Sequence, residues 1–443
     1  MDNERYIAAL DISSSKITGV VGVLHPGGHV DIIAAEQERH TEAVRYGHIQ
    51  NLEETSRRVA RVIESLENNP MVSPRKITGV FVGLNGQSMR SITTEVTLKL
   101  VDDTEITSEI LERLRNQALD TAIDNTLEVV DAVDRTYTVG KLETHNPKGT
   151  TGNSISAIYD LMVCRPSLRR NVERTVADKL HLRCDFMVTA LATGLVVLPE
   201  EEKRLGCMLV DMGAETTTVT IYRKGFLVYL ATIPLGARNI TRDLTHLNLL
   251  EEKAEEIKVT SGNAMPAQSA ANLNLGGVKL SDVSAMVVAR AEEIVANVVE
   301  QIEYAGLSEK DLPAGIICIG GGAKLSGMTE LLERQSGLPV RMGRLPAYVR
   351  IESPKISGFD LIQAVSLLYA GADLTDKECL EMPAAQELPP TGYVGGEDEP
   401  EVGVEPKIPE AGKKKKNKFW SGLTDGLSRM FVPKDDEGDS DLY

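Results

Sequence analysis

The 443-residue chain has no run of about 18 apolar residues, which excludes a transmembrane helix. Its five cysteines (Cys164, Cys184, Cys207, Cys318, Cys379) form no CxxC pair and are odd in number, so reduced thiols are expected rather than disulfides or zinc. The seven histidines are scattered. His25 and His29 are spaced like helical metal ligands, but Pro26-Gly27-Gly28 between them is a turn, and no metal site is expected there. Aromatic residues make up only 4%, and acidic residues outnumber basic ones by 65 to 48, for a net charge of −17. That balance is the reverse of a nucleic-acid binder. The first residues, Met1 to Arg5, lack the basic flank and apolar core of a signal peptide, so none is expected.

What remains, 42% hydrophobic and 26% charged, describes a soluble globular chain long enough for two to four domains. Apolar, β-branched stretches at Tyr6–Ser13, Lys16–Leu24, Val30–Glu38 and Lys76–Leu84 read as strands. So do Leu127–Val139, Ser156–Val163, Cys207–Asp211, Thr216–Tyr222, Leu227–Pro234 and Gly315–Ile319. Helical spacing marks Leu52–Leu66, Thr107–Ala122 (capped by Thr107 or Ser108), Ser167–Leu180, Ile240–Leu249 and Glu251–Thr260. Further helices are expected at Asp282–Tyr304, Met328–Gln335 and Asp360–Ala370. This mixed order predicts an α/β fold whose sheets are covered by helices.

A weak internal repeat organises the body. Ala9-Leu10-Asp11-Ile12-Ser13-Ser14-Ser15-Lys16 and Leu209-Val210-Asp211-Met212-Gly213-Ala214-Glu215-Thr216-Thr217 set their aspartates 200 residues apart. Each is an apolar strand ending in aspartate, a turn of small residues, then another strand. Small residues let backbone N–H groups approach phosphate oxygens, hydroxyls donate further bonds and Lys16 adds positive charge. The aspartates suit a hydrated Mg2+, which favours carboxylates, water and phosphate. A third element, Ile316 to Gly327, is an apolar strand ending in Gly320-Gly321-Gly322 before Lys324 and a helix. Glycine there permits close approach of backbone to a ligand.

These three motifs, in this order, resemble the superfamily of actin, the heat-shock chaperone ATPases and the sugar kinases, over about 370 residues. The resemblance makes Ser13, Ser14, Ser15 and Lys16 the first phosphate loop and Gly213, Ala214, Glu215, Thr216 and Thr217 the second. Gly320–Gly327 becomes the adenosine loop, and Glu255 and Lys258 match the helix that touches adenine and ribose. Asp11 and Asp211 would hold Mg2+ through water. Met187–Leu198 and Ser357–Gly371 correspond to the two connecting helices. Ser13 and Ala214-Glu215 stand where the pattern usually has glycine, which restricts the backbone and sets a carboxylate beside the phosphates. ATP binding with at most weak ATPase activity is implied, with no catalytic residue assigned and no metabolic reaction.

The C-terminal region narrows the resemblance. From Asp376 to Gly412 there are ten acidic and two basic residues with Pro and Gly steps, which predicts a disordered spacer. Its coil dimension would be roughly 30–35 Å. Lys413, Lys414, Lys415, Lys416 and Lys418 follow, then Phe419 to Phe431. On a helix, Phe419, Trp420, Leu423, Leu427, Met430 and Phe431 share an arc of about 120°, opposite Asp425 and Arg429. An aromatic stripe behind a lysine run reads as an interfacial membrane helix; docking on the chain's own body or in a partner groove are the alternatives.

The body with this tail is similar to the bacterial FtsA family of actin-like cell division proteins. That resemblance divides the chain into a first half at 1–86, continued by 164–190 and 357–375, and a small inserted subdomain at 87–163. The second half spans 191–356, with a smaller subdomain about 237–304; the linker is 376–412, the membrane helix with its basic run 413–432, and an acidic end 433–443. It implies ATP and Mg2+ as cofactors, self-association into protofilaments, and FtsZ (through its C-terminal peptide), anionic lipids and other divisome proteins as partners. The expected location is the cytoplasmic face of the membrane at the septum. A pilus-assembly adaptor, or a kinase or ATPase of the same superfamily, are the competing readings.

Overall fold

A computed structural model describes residues 4–266, 274–275, 277–352, 355–374 and 378–383. The first lobe opens with three strands, β1 (Arg5–Ile12), β2 (Lys16–Leu24) and β3 (Val30–Arg39), then helix α1 (Leu52–Glu67) and β4 (Gly79–Leu84). Helix α1 starts where Asn51 accepts the Glu54 N–H, and it buries Val59, Val62 and Leu66 on one face. An inserted unit follows: β5 (Arg90–Glu105), α2 (Ser108–Leu119), β6 (Glu128–Val139), β7 (Leu142–Thr144) and β8 (Thr151–Cys164). Thr107 caps α2.

The chain returns through α3 (Pro166–Glu173), β9 (Arg183–Val188), α4 (Thr189–Val197) and α5 (Glu200–Leu205). The second lobe then repeats the opening with β10 (Cys207–Met212), β11 (Thr217–Arg223) and β12 (Phe226–Ile233). Helices α6 (Ala237–Thr245), α7 (Glu251–Ser261) and α8 (Leu280–Tyr304) precede β13 (Ile316–Ile319), α9 (Met328–Ser336) and β14 (Val340–Met342). Strand β15 (Val349–Ile351) and α10 (Ile362–Leu374) complete the body.

Two sheets carry this order. The first runs β9-β4-β1-β2-β3-β15, and the second runs β7-β6-β8-β5-β12-β11-β10-β13-β14. Each lobe sets three antiparallel strands beside two parallel ones, in the same sequence from its first strand outward. The registers coincide too. Asp11 pairs with Thr18, and Asp211 pairs with Thr218, so the 200-residue repeat is structural. The inserted unit extends the second sheet through an Ala231–Arg90 pairing, reinforced by the Leu230 N–H donating to Ser91 Oγ at 2.9 Å.

Strands β1 and β2 are almost wholly buried, because α1 covers one face of their sheet and α10 the other. One apolar core runs from Ile7, Leu10 and Val20 through Val365 and Leu368 of α10 to Leu209 and Ile317 of the second sheet. Helices α4 and α10 pack against each other within this core, which reaches both sheets. Helix α8 buries Val283 and Val287 against α6 and α7 with its first half, and Val295, Val298 and Ile302 on the second sheet with its last. No helix among the described residues is long and apolar enough to cross a membrane.

The structure departs from the sequence expectation at four elements in particular. Strands β5 and β9 carry period-two patterns (Val96, Leu98, Leu100; Cys184, Phe186, Val188) outside the strands expected from the sequence. The helix expected over Ser167–Leu180 divides into α3 and a π-turn at Arg174–Asp178. The spacer expected from Asp376 is corrected at its start: Leu380–Glu381 pairs with Lys76–Ile77, and Cys379 and Leu380 are buried. The Cys379 N–H donates to Tyr6 O at 2.8 Å, and its carbonyl accepts from Thr78 and Gly79. Two apolar side chains and a β1 neighbour offset the charges that suggested disorder. The rest of the spacer, the lysine run, the Phe419–Phe431 helix and the acidic end lie outside the described residues.

Ending the chain at residue 383 should thus leave body stability intact, whereas ending it at 375 should cost about 2–4 kcal/mol through the lost burial of Leu380 and Cys379. Urea unfolding of the two truncations measures this difference.

Candidate functional site between the lobes

The two turns adopt one geometry. In the first, the Ser13 N–H donates to Lys16 O at 3.0 Å; in the second, the Gly213 N–H donates to Thr216 O at 2.8 Å. Each turn leaves an aspartate on the last residues of its strand, aimed between the lobes. Asp11 is almost fully buried, and Ser13 Oγ and Asn85 Nδ2 both donate to its carboxylate, the latter at 3.2 Å. Burial holds its pKa above the usual carboxylate range despite these bonds. Asp211 receives Gln363 Nε2 on both oxygens at 3.2 Å. Its pKa is pushed up to about 6, chiefly by burial and further by the charge of Asp11, against the pull of Gln363 and Lys16. The charge of Asp11 reaches Asp211, so the two carboxylates of the repeat interact between the lobes.

Basic groups and glycines close the other sides. Lys16 Nζ lies 3.3 Å from Asp360 O and 3.9 Å from its carboxylate, which also takes Lys324 Nζ at 2.6 Å. Burial lowers the pKa of Lys16. Asp360 thereby ties the first turn to the glycine loop. Gly320 has φ 85°, and a Cβ there would sit 2.4 Å from Met212 O and 2.5 Å from Asp211 Oδ1. Only glycine lets the end of β13 run this close to Asp211. A Cβ at Gly321, by contrast, would meet nothing within 4 Å.

Asp11, Ser13, Lys16, Asp211, Gly213, Gly320 and Lys324 thus come together in one region. Other expected residues face elsewhere. The Ser14 hydroxyl accepts the Gly47 N–H at 2.9 Å. Thr217 Oγ1 donates to Leu235 O at 2.8 Å, so its hydroxyl proton is not free for a phosphate. Glu215 is also corrected: its carboxylate is fully buried and paired with arginines, with Arg242 at 2.6 Å and Arg45 at 2.9 Å, and is not a bare charge beside phosphate. The turn carbonyls of Gly213 and Ala214 accept the first N–H groups of α6, from Ala237 and Arg238, at 3.0 and 2.7 Å.

Glu255 and Lys258 pair at 2.6 Å, and Lys258 Nζ also reaches Thr241 Oγ1 at 3.0 Å and Ala237 O at 3.2 Å. Burial lowers the pKa of Lys258; burial opposes the Glu255 charge, yet Lys258 and Thr241 bring that carboxyl below its usual range. These two residues brace α7 against the helix that abuts the second turn. Sequence reasoning missed Asn85 and the arginines of the Glu215 cluster, which sit in no recognisable motif, and it placed Asp360 and Gln363 in the connecting segment Ser357–Gly371 without seeing their contacts with the turns.

The arrangement fits a nucleotide with its metal. Two facing carboxylates of raised pKa, Lys16 and a glycine cradle are what a cation and a phosphate chain require. Among the described residues no group of three or more His, Cys, Asp or Glu could cage a metal, so water and phosphate would complete the shell around the two aspartates.

Two lobes built on one repeated strand order, each with an aspartate turn at the equivalent strand end, define an actin-like fold. A chain of the PilM-PilN type IV pilus biogenesis complex shares it at TM-score 0.59 and 15% identity, covering 82% of this chain and 98% of that one. The chain is 30% identical over 353 residues to the Porphyromonas gingivalis cell division protein FtsA, covering 76% of this chain and 73% of that protein. It is 27% identical to the Neisseria meningitidis FtsA, covering 84% and 91%. Residues 208–358 match the family described as cell division protein FtsA, and residues 86–163 match the SHS2 domain inserted in FtsA. The chain belongs to the FtsA family of cell division proteins.

The raised pKa of Asp211 carries a stability prediction with a definite sign. The folded state favours the protonated acid, so this contribution is fully present below the ordinary carboxylate pKa and is lost as pH rises through about 6. Asp211→Asn should therefore stabilise the nucleotide-free protein at pH 7.5 by about 2 kcal/mol, and progressively less toward pH 4. Thermal unfolding across that range checks it.

Proposed function

We propose that the chain is an ATP-binding, actin-like adaptor that tethers FtsZ filaments to the cytoplasmic membrane at the division septum. The observation that carries the nucleotide reading is the pair Asp11 and Asp211, equivalent residues of one repeat whose carboxylates interact. Asp11 and Asp211 would hold hydrated Mg2+, while Ser13, Ser15, Lys16, Gly213 and Thr216 contact the phosphates. The Gly320–Gly322 turn and Lys324 would lie along the adenosine. Bound Mg-ATP supplies charge and contacts to both lobes, and the chain's own groups use these to set lobe closure and hence protofilament assembly.

The smaller subdomain about 237–304 would take the FtsZ C-terminal peptide. The tail supports the membrane half of the reading. Half-burying six large side chains of the Phe419–Phe431 stripe contributes about 5–9 kcal/mol gross. Gly422 and Gly426 each cost about 1 kcal/mol on helix formation. Lysines near an anionic surface add about 1 kcal/mol each. One tail then binds reversibly, and a polymer with many tails binds tightly.

Co-sedimentation of FtsZ with anionic liposomes, using the full chain or a version ending at Gly412, tests both halves. FtsZ should pellet only with the full chain, and more strongly with Mg-ATP. A full chain that pellets while FtsZ stays in solution would remove the partner assignment; if neither pellets, the tail is a protein-docking helix. Turnover of a small-molecule phosphoryl acceptor at on the order of 10 per second would instead favour a kinase.

A further inference from the structure

Glu215 stands in the second turn where the superfamily pattern has glycine, yet its side chain is fully buried. Its carboxylate gathers donors from both lobes. From the second lobe, Arg242 reaches it at 2.6 Å and Arg238 at 3.4 Å. From the first lobe, Arg45 Nε lies at 2.9 Å and the Tyr46 backbone N–H donates at 2.7 Å. The arginines then continue across the boundary. Arg238 donates to Thr41 O at 2.9 Å and to Ser14 O of the first turn at 3.3 Å, and Arg242 reaches Tyr46 Oη at 3.3 Å.

We infer that Glu215 is an interlobe clasp: a buried carboxylate that joins the segment 41–47 of the first lobe to α6 of the second and holds the two turns in register without a nucleotide. The charge arithmetic favours this over a local role. One carboxylate against three guanidinium groups leaves a net positive cluster that its removal would make repulsive. A brace for α6 alone would need only Arg238 and Arg242, which share its lobe. Arg45 and the Tyr46 N–H add nothing to α6. The Arg45 ion pair and the Tyr46 hydrogen bond to the same carboxylate exist only while the lobes are together. In a turn with glycine here, the two lobes would lack this bridge, and closure would depend on whatever ligand spans the cleft. The clasp is a property of the folded chain itself and stands whether or not ATP is the ligand.

The test uses the full chain, stripped of nucleotide by phosphatase treatment, in wild-type and Glu215→Gln forms. Peptide-resolved hydrogen–deuterium exchange and small-angle X-ray scattering are measured on both. The expected result is at least tenfold faster exchange in residues 41–47 and in α6 together, with a larger radius of gyration and unchanged exchange in β1 and β2. Faster exchange confined to α6, with an unchanged radius, would overturn the inference and leave Glu215 a local brace. If Glu215→Gln also loses protection in β1 and β2, Arg45→Gln takes its place. That change removes the half-exposed partner in the first lobe, and it should still speed exchange in α6 of the second. No effect on α6 from Arg45→Gln would equally overturn the clasp.

Discussion

Two like charges set the terms for this molecule. Asp11 and Asp211 end equivalent strands of the two lobes, near enough for the charge of Asp11 to reach Asp211, and burial raises the pKa of both carboxyls. A fold that brings such groups together has to hold its lobes against their repulsion. It does so with a core that passes from the first sheet through α10 to Leu209 and Ile317 of the second. Around the aspartates themselves, Asn85, Gln363 and Ser13 supply hydrogen bonds, and Lys16 supplies charge. A bound cation would convert this tension into attraction, which suits the pair to the metal role proposed for it.

The same economy governs the glycines and the acidic residue of the turns. Gly320 is needed because Met212 O and Asp211 Oδ1 occupy the space of a Cβ. Gly236 is in a similar position, where a Cβ would lie 2.5 Å from Ala214 O, and this closeness lets α6 start against the second turn. Glu215 occupies a former glycine place without crowding because its side chain leaves the turn for the arginines of both lobes. The departure from the superfamily pattern thus changes what joins the lobes while keeping the turn's hydrogen bond.

Much of this was legible in the residues, for identifiable reasons. Strands β1, β2, β10 and β11 are apolar, β-branched and bounded by small-residue turns, so their local signal agrees with their burial, and the 200-residue repeat could be read directly. Strand β5 has an equally regular alternation, and its apolar positions line the inserted unit's core, so its signal lies in the sequence as well. Residues 378–381 read as spacer because their composition is acidic; only the distant partners Tyr6 and Lys76–Ile77 make them a strand. Gln363 and Asp360 were invisible for a related reason. Gln363 bonds a carboxylate 152 residues away, and nothing in its surrounding helix marks it as polar machinery. For Glu215 the residue was noticed, but the sign of its environment was not, because Arg45 and Arg242 reach it only in the fold.

Under the proposed function, the repeated aspartates form one metal-dependent nucleotide site. Calorimetric titration of ATP into the full chain, with Mg2+ and with EDTA, tests it most directly when repeated on Asp11→Asn and Asp211→Asn. One ATP per chain is expected in the presence of Mg2+, with at least tenfold weaker binding in EDTA and little loss from EDTA in either variant, because each has already lost the metal's seat. Equal affinity with and without Mg2+ in the wild-type chain, or no binding at all, would contradict it.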